Sequence, residues 1–247
     1  MLRRIALAAV CVAILTSAAV VGRDLRAAEV NRPIYYVQTR EKVMALTFDL
    51  SWGTKMLGLV LPILEQAHQP ATFFVSGPYA RTHPEEMKAI MDAGMELASH
   101  GAAHVNFSGL GAAGVEANVR TANADLSPWA RGPLDLLRPP NGDWNPASVA
   151  AARAAGYQTI IWSIDSLDWM NPGVSTIVSR VTKQAFPGAI ILLHASDTCK
   201  QTNLALPPIL TDLKAQGYRL VTLGELMKMG PAMRDDPRGS GQKPNMG

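Results

Sequence analysis

The sequence predicts an α/β fold whose parallel strands close into a barrel, and three observations carry that prediction. Short, mostly apolar runs alternate with helix-period segments from residue 43 to about residue 229, the pattern of strand–helix units built around a parallel sheet. The runs are short and mostly apolar, as buried parallel strands should be. Ionisable residues directly follow five of them: Asp49, His100, Arg138, Asp165 and His194. An open sheet would spread these ends along a line, whereas a barrel gathers them at one mouth, where parallel barrels build active sites.

Taken in order, residues 1–28 stand outside the pattern. Arg3 and Arg4 precede an apolar run over 5–21, the charged-then-apolar layout of an export signal. Ser17-Ala18-Ala19 offers a small-residue cleavage site, while the run approaches the length that spans a thin bilayer. The expectation is a signal peptide or an N-terminal membrane anchor, and a domain outside the cytoplasm; the membrane is a partner only if the anchor is retained. A short extended stretch at 34–38 leads into strands at 43–48, 71–75, 95–99, 134–137, 159–164, 189–193 and 219–222. Helical patterns at 55–67, 84–93, 112–125, 146–155, 174–185 and 206–216 separate them. Gly94, Gly156 and Gly217 stand where left-handed helix caps are wanted. The domain spans 29–229, and 230–247, rich in Gly, Pro and charge, is read as a flexible tail.

Composition excludes several function classes. With 48% hydrophobic and 17% charged residues the chain has an ordinary core. A net charge of +3, with basic residues single or paired, lacks the footprint of a nucleic-acid binder. Cys11 lies in the apolar run and Cys199 far along the chain, so no intramolecular disulfide framework can be drawn. Oligomeric state is not encoded in any readable pattern.

Each candidate residue has an ordinary use when taken alone. Asp49, in Thr47-Phe48-Asp49-Leu50-Ser51-Trp52-Gly53, suits a helix cap. His100 and His104 have the i, i+4 spacing that turns two imidazoles toward one ion if the loop makes a helical turn. Arg138-Pro139-Pro140-Asn141-Gly142 is a rigid turn that aims a guanidinium from a strand end. Asp165-Ser166-Leu167-Asp168-Trp169 and Leu192-Leu193-His194 complete the set. Trp52, Trp144 and Trp169 lie beside these loops, suited to sugar faces or to core packing.

In this order the five elements resemble the polysaccharide deacetylase family, the NodB-homology domains of carbohydrate esterase family four, whose motifs run TFDDG, HxxxH, RxPxG, DxxDW and LxH. Four of the five match, and the resemblance covers about residues 43–227. The wording around Asp49, Arg138 and His194 is most similar to the PdaB-type sporulation branch. The resemblance implies an irregular (β/α)7 barrel that removes N-acetyl groups from amino sugars of a polysaccharide such as cell-wall or spore peptidoglycan.

It also implies roles. Asp49 is the general base and His194 the general acid, with Arg138 holding Asp49 ionised and Asp168 orienting His194. Leu192 and Trp169 wall the acetyl pocket, and the backbone N–H of Asn141 helps hold the oxyanion. His100 and His104 bind a divalent ion, expected to be zinc although imidazole suits cobalt and nickel too. Family members follow the base with a second aspartate as third metal ligand, and here Leu50 has no donor atom. The expectation is a weakened metal site; the alternative is an inactive wall-glycan binding protein on the same fold.

Overall fold

The computed structural model describes residues 30–238. The expected export segment and residues 239–247 lie outside them. Strand β1 (Tyr36–Val37) precedes the central strand, β2 (Val43–Leu50), all eight residues of which are buried. That burial follows from pairing on both sides, with β3 (Thr72–Val75) and β8 (Ile190–His194), both parallel. Beyond β3 come β4 (Glu96–Ser99), β5 (Leu136–Leu137) and β6 (Gln158–Thr159), and beyond β8 comes β7 (Ile164–Asp165). The order β6-β5-β4-β3-β2-β8-β7 curls into a half-barrel, and β9 (Arg219–Val221) pairs with residues 43–45 at the base of β2. The expected parallel barrel is therefore present in an irregular, incompletely closed form.

Helices α1 (Lys55–Gln66), α2 (Gly77–Thr82), α3 (Pro84–Asp92), α4 (Gly111–Leu126), α5 (Pro146–Ala154), α6 (Val174–Lys183), α7 (Thr202–Ala215) and α8 (Leu223–Leu226) alternate with the strands. Helix α1 buries Met56, Leu57, Val60, Leu61 and Leu64, the i, i+3, i+4 rhythm of one apolar face. Each fully buried Leu contributes about 2 kcal/mol of transfer free energy. Among the described residues no helix is long and apolar enough to cross a membrane.

Two expected elements differ, and others are new. The strand read at 159–164 is two, β6 and β7, which form opposite edges of the sheet. Ile160 N donates to Leu137 O, Ile161 N to Ile34 O and Ser163 N to Ile190 O. One apolar segment thus crosses the seam between the two edges, and apolar character alone cannot reveal a change of partner. Helix α2, six residues long, has no expected counterpart. Helix α7 begins at Thr202 rather than 206 and runs through Pro207 and Pro208.

The segment set apart as a mobile tail is tied down in its first half. Strand β10 (Ala232–Met233) pairs antiparallel with β1, with Tyr36 opposite Met233 and Val37 opposite Ala232. Backbone pairing outweighs the lack of an apolar period in this stretch.

Candidate active site

Register assembles the site. In the β2–β8 pairing Asp49 stands directly opposite His194, while His100 and Arg138 follow the paired residues Ser99 and Leu137. Adjacent parallel strands lie about 4.8 Å apart, so side chains read as separate strand ends share one mouth. A pocket of about 510 Å³ opens there, lined among others by Asp49, His100, His104, Asn141, Leu192 and His194.

Asp49 is not a helix cap; it lies within β2, and Asp197 Oδ1 accepts the Met56 amide at 2.7 Å near the start of α1. Gly53, at φ 75°, permits this approach, because a Cβ there would come within 2.2 Å of Asp197 Cγ. Asp49 is 6% exposed and the Arg138 side chain is wholly buried. Arg138 Nη1 donates to Asp49 Oδ1 at 2.7 Å, Nη2 to Ile161 O at 3.3 Å, and its Cζ lies 4.1 Å from the Phe74 ring centroid. Burial pushes the Asp49 carboxyl up, but Arg138, His100 and His194 outweigh it and hold the group below its ordinary range.

His194 is held from behind by a second carboxylate. Its Nδ1 donates to Asp168 Oδ1 at 2.7 Å and its amide to Asp168 Oδ2 at 2.8 Å, while the Thr202 hydroxyl donates to the same Oδ2 at 2.7 Å. Burial lowers the affinity of this imidazole for a proton, yet Asp168, Asp49 and Asp165 prevail and raise it above 6.5. Nε2 of His194 is left free of this carboxylate pair.

His100 Nδ1 lies 2.8 Å from the Arg138 carbonyl oxygen, which can only accept, so the proton sits on Nδ1. Burial brings the imidazole down to about 4, keeping it neutral. Its Nε2 lone pair then faces Asp49 Oδ2 at 3.7 Å, two acceptors with no proton between them. The His104 ring lies 5.5 Å from that of His100 at 70°, in an exposed loop rather than a helical turn. Leu50 is wholly buried and contributes only carbon.

His100 and His104 are the two imidazoles on this side of the mouth, and with Asp49 they do not form a set of three donors within 4.8 Å of one another. Among the described residues, three such donors within 4.8 Å of one another occur only at Asp168, His194 and Cys199. There both carboxylate oxygens are already engaged, and burial drives the Cys199 thiol up to about 12. That cluster is not the expected ion site at His100 and His104, and its thiol is held protonated by burial.

The remaining expected residues fall into place unequally. Asn141 adopts φ 58°, and the turn's own bonds run from Gly142 N to Pro139 O and Asp143 N to Pro140 O, leaving the Asn141 amide outside them. Leu192 is 2% exposed in the pocket wall, whereas Trp169 is 50% and Trp52 40% exposed at its edge. Trp144 instead packs against the core. Trp162, Ser196 and Thr198 also line the pocket and were not singled out in the sequence, since an apolar run conceals the first and no motif marks the others.

A buried carboxylate on one strand and an imidazole on the next thus face one hollow, each ion-paired from behind. Residues 36–160 match the family described as polysaccharide deacetylase. The chain is 38% identical over 195 residues to a peptidoglycan-N-acetylglucosamine deacetylase of Bacillus cereus, covering 78% of this chain and 91% of that one. It superposes on Bacillus subtilis PdaA, a family 4 carbohydrate esterase, with a TM-score of 0.74 and 29% identity over 83% of this chain and 89% of that one. A family 4 pseudoenzyme from Bacillus anthracis gives a TM-score of 0.75 at 29% identity, covering 81% and 70%. A mutant of that pseudoenzyme is described as having restored enzymatic activity, and it is 30% identical at the same TM-score, covering 81% and 72%. The chain belongs to the polysaccharide deacetylase family, carbohydrate esterase family four, hydrolases acting on amide bonds.

Proposed function

We propose that this protein removes N-acetyl groups from amino sugars of peptidoglycan outside the cytoplasm, with Asp49 as base and His194 as acid. The observation that carries the reading is the strand register that sets Asp49 against His194, each with its own buried partner. Asp49 Oδ1 is taken by Arg138, so Oδ2 receives the proton of an attacking water. The water oxygen adds to the amide carbon, the Asn141 amide faces the developing oxyanion, and the C–N bond breaks as His194 Nε2–H protonates the departing amine. Leu192 and Trp169 enclose the methyl group.

His100 and His104 would hold a divalent ion, expected to be zinc although imidazole does not select it, and such an ion would polarise the amide carbonyl. Export rests on the N-terminal charge and apolar pattern, and a place on the sporulation branch rests on motif wording. Similarity to the B. cereus enzyme, which by name acts on N-acetylglucosamine, and 31% identity to B. subtilis PdaA, which by name acts on N-acetylmuramic acid, support a wall glycan. Acetate release from peptidoglycan fragments and N-acetylglucosamine oligomers, compared between the parent and His194→Ala, tests the reading. Release by the parent alone is expected; equal background from both overturns it.

A second reading draws on the donor-free Leu50: a wall-glycan binding protein without turnover. Retention of glycan with no acetate release by the parent distinguishes it.

A further inference from the structure

The stretch after Met229 returns to the barrel and reaches toward the site. Tyr35 N donates to Met233 O and Gln38 N to Pro231 O, both at 2.9 Å, and the Tyr36 hydroxyl donates to both Asp235 oxygens at 3.0 and 3.1 Å. Beyond these ties Arg238 grips Asp236 through Nε at 2.8 Å and Nη2 at 2.7 Å. Its Cζ lies 5.2 Å from the ring centroids of both Tyr35 and Trp162.

Trp162 sits on the segment that crosses the open seam, lines the pocket and is 8% exposed. The buried guanidinium of Arg138 also approaches it, with Cζ 5.6 Å from its centroid. Its ring edge presses on the turn after Asn141, since a Cβ at Gly142 would come within 2.6 Å of Trp162 Cη2. Among the described residues the indole N–H has no hydrogen-bond partner. Packing and two cations, one inside and one near the surface, therefore fix this ring, with no polar tether.

We propose that Arg238 is a positioning residue: the strap formed by residues 231–238 sets its guanidinium on Trp162, and so holds the indole against Arg138 and the Asn141–Gly142 turn. The proposal rests on the deacetylase reading for its kinetic consequence, because Arg138 fixes the base and the turn presents the oxyanion donor. A cation–π contact at a partly buried site is worth about 0.5–2 kcal/mol. Displacing the ring would misplace groups that act in the transition state, so kcat falls while KM holds.

The test uses the full chain with Arg238→Ala, Arg238→Lys and Asp236→Asn, the last of which unties the guanidinium and leaves the β1–β10 pairing in place. On an N-acetylglucosamine oligomer, Arg238→Ala is expected to lose about threefold to tenfold in kcat with KM within about twofold. Arg238→Lys should recover most of that loss, and Asp236→Asn should show a smaller one. Acrylamide quenching of Trp162 fluorescence, isolated by difference from Trp162→Phe, should rise in Arg238→Ala. Unchanged quenching overturns the strap, as does a change confined to KM. If the parent releases no acetate the deacetylase reading fails, and quenching still decides whether Arg238 holds the ring.

Discussion

Asp168 holds His194 twice, through Nδ1 at 2.7 Å and through the backbone amide at 2.8 Å, while itself wholly buried. One carboxylate thus fixes both the direction of the imidazole and its tautomer, with Nε2 turned away from the pair. Because the second oxygen also accepts from Thr202, the carboxylate has little freedom to follow another ligand.

That pairing sets a pH dependence. Burial alone would lower His194, but Asp168, Asp49 and Asp165 raise it above 6.5. A general acid works while protonated, so kcat/KM should stay high at neutral pH and fall as pH rises through the elevated value. The same shift stabilises the fold below 6.5 and is lost above the folded value. Asp168→Asn should move the alkaline limb to lower pH and cost about 100-fold at pH 7. A pH–rate profile reads both effects, and an unmoved limb would separate Asp168 from the acid.

Arg138→Met should leave a buried carboxylate without its cation, at a cost of about 3–5 kcal/mol at pH 7. Asp49 is held below 3.8, which stabilises the fold above 3.8 and ceases to do so as pH falls through the lower folded value. In the variant, burial would dominate and raise the group, so its deficit should shrink in acid. Urea titrations of both proteins at pH 7 and pH 4 measure this; an equal deficit at both is the contrary result.

Leu50→Asp should supply the missing donor beside the two imidazoles. Zinc affinity measured by calorimetry is expected to rise at least about tenfold. Since the new carboxylate would lie in a wholly buried position, the ion-free variant should melt lower than the parent and recover on adding zinc. No gain in affinity would assign the imidazoles another task.

Trp52 and Trp169, both well exposed at the pocket edge, should each raise KM for long glycans about threefold to tenfold when changed to alanine. A single N-acetylated sugar should be affected less, as it reaches fewer ring faces. Steady-state kinetics on oligomers of increasing length show the contrast, and equal effects at every length would place these rings in structure alone.

Much of the site was legible because polar residues end apolar runs: Asp49, His100, Arg138 and His194 announce the C-terminal face before any coordinate does. Their pairing was less so. The contact of Thr202 with Asp168 joins residues 34 apart, and no local pattern marks it. The seam was hidden because residues 159–164 stay apolar while changing partner from β5 to β8. The segment after Met229 read as mobile for the complementary reason, since its order comes from backbone pairing to β1 rather than from side-chain periodicity. Leu50 was visible as a departure, while its complete burial required the packed strand.

The pairing of β1 with β10 has a consequence for how the molecule is made. Tyr36 and Met233 are neighbours, so the seam acquires this cover only after residue 233 has been made. A contact of such long sequence separation forms late and slowly. A nascent chain would therefore carry Asp49, Arg138 and His194 before residues 231–238 reach the Trp162 ring.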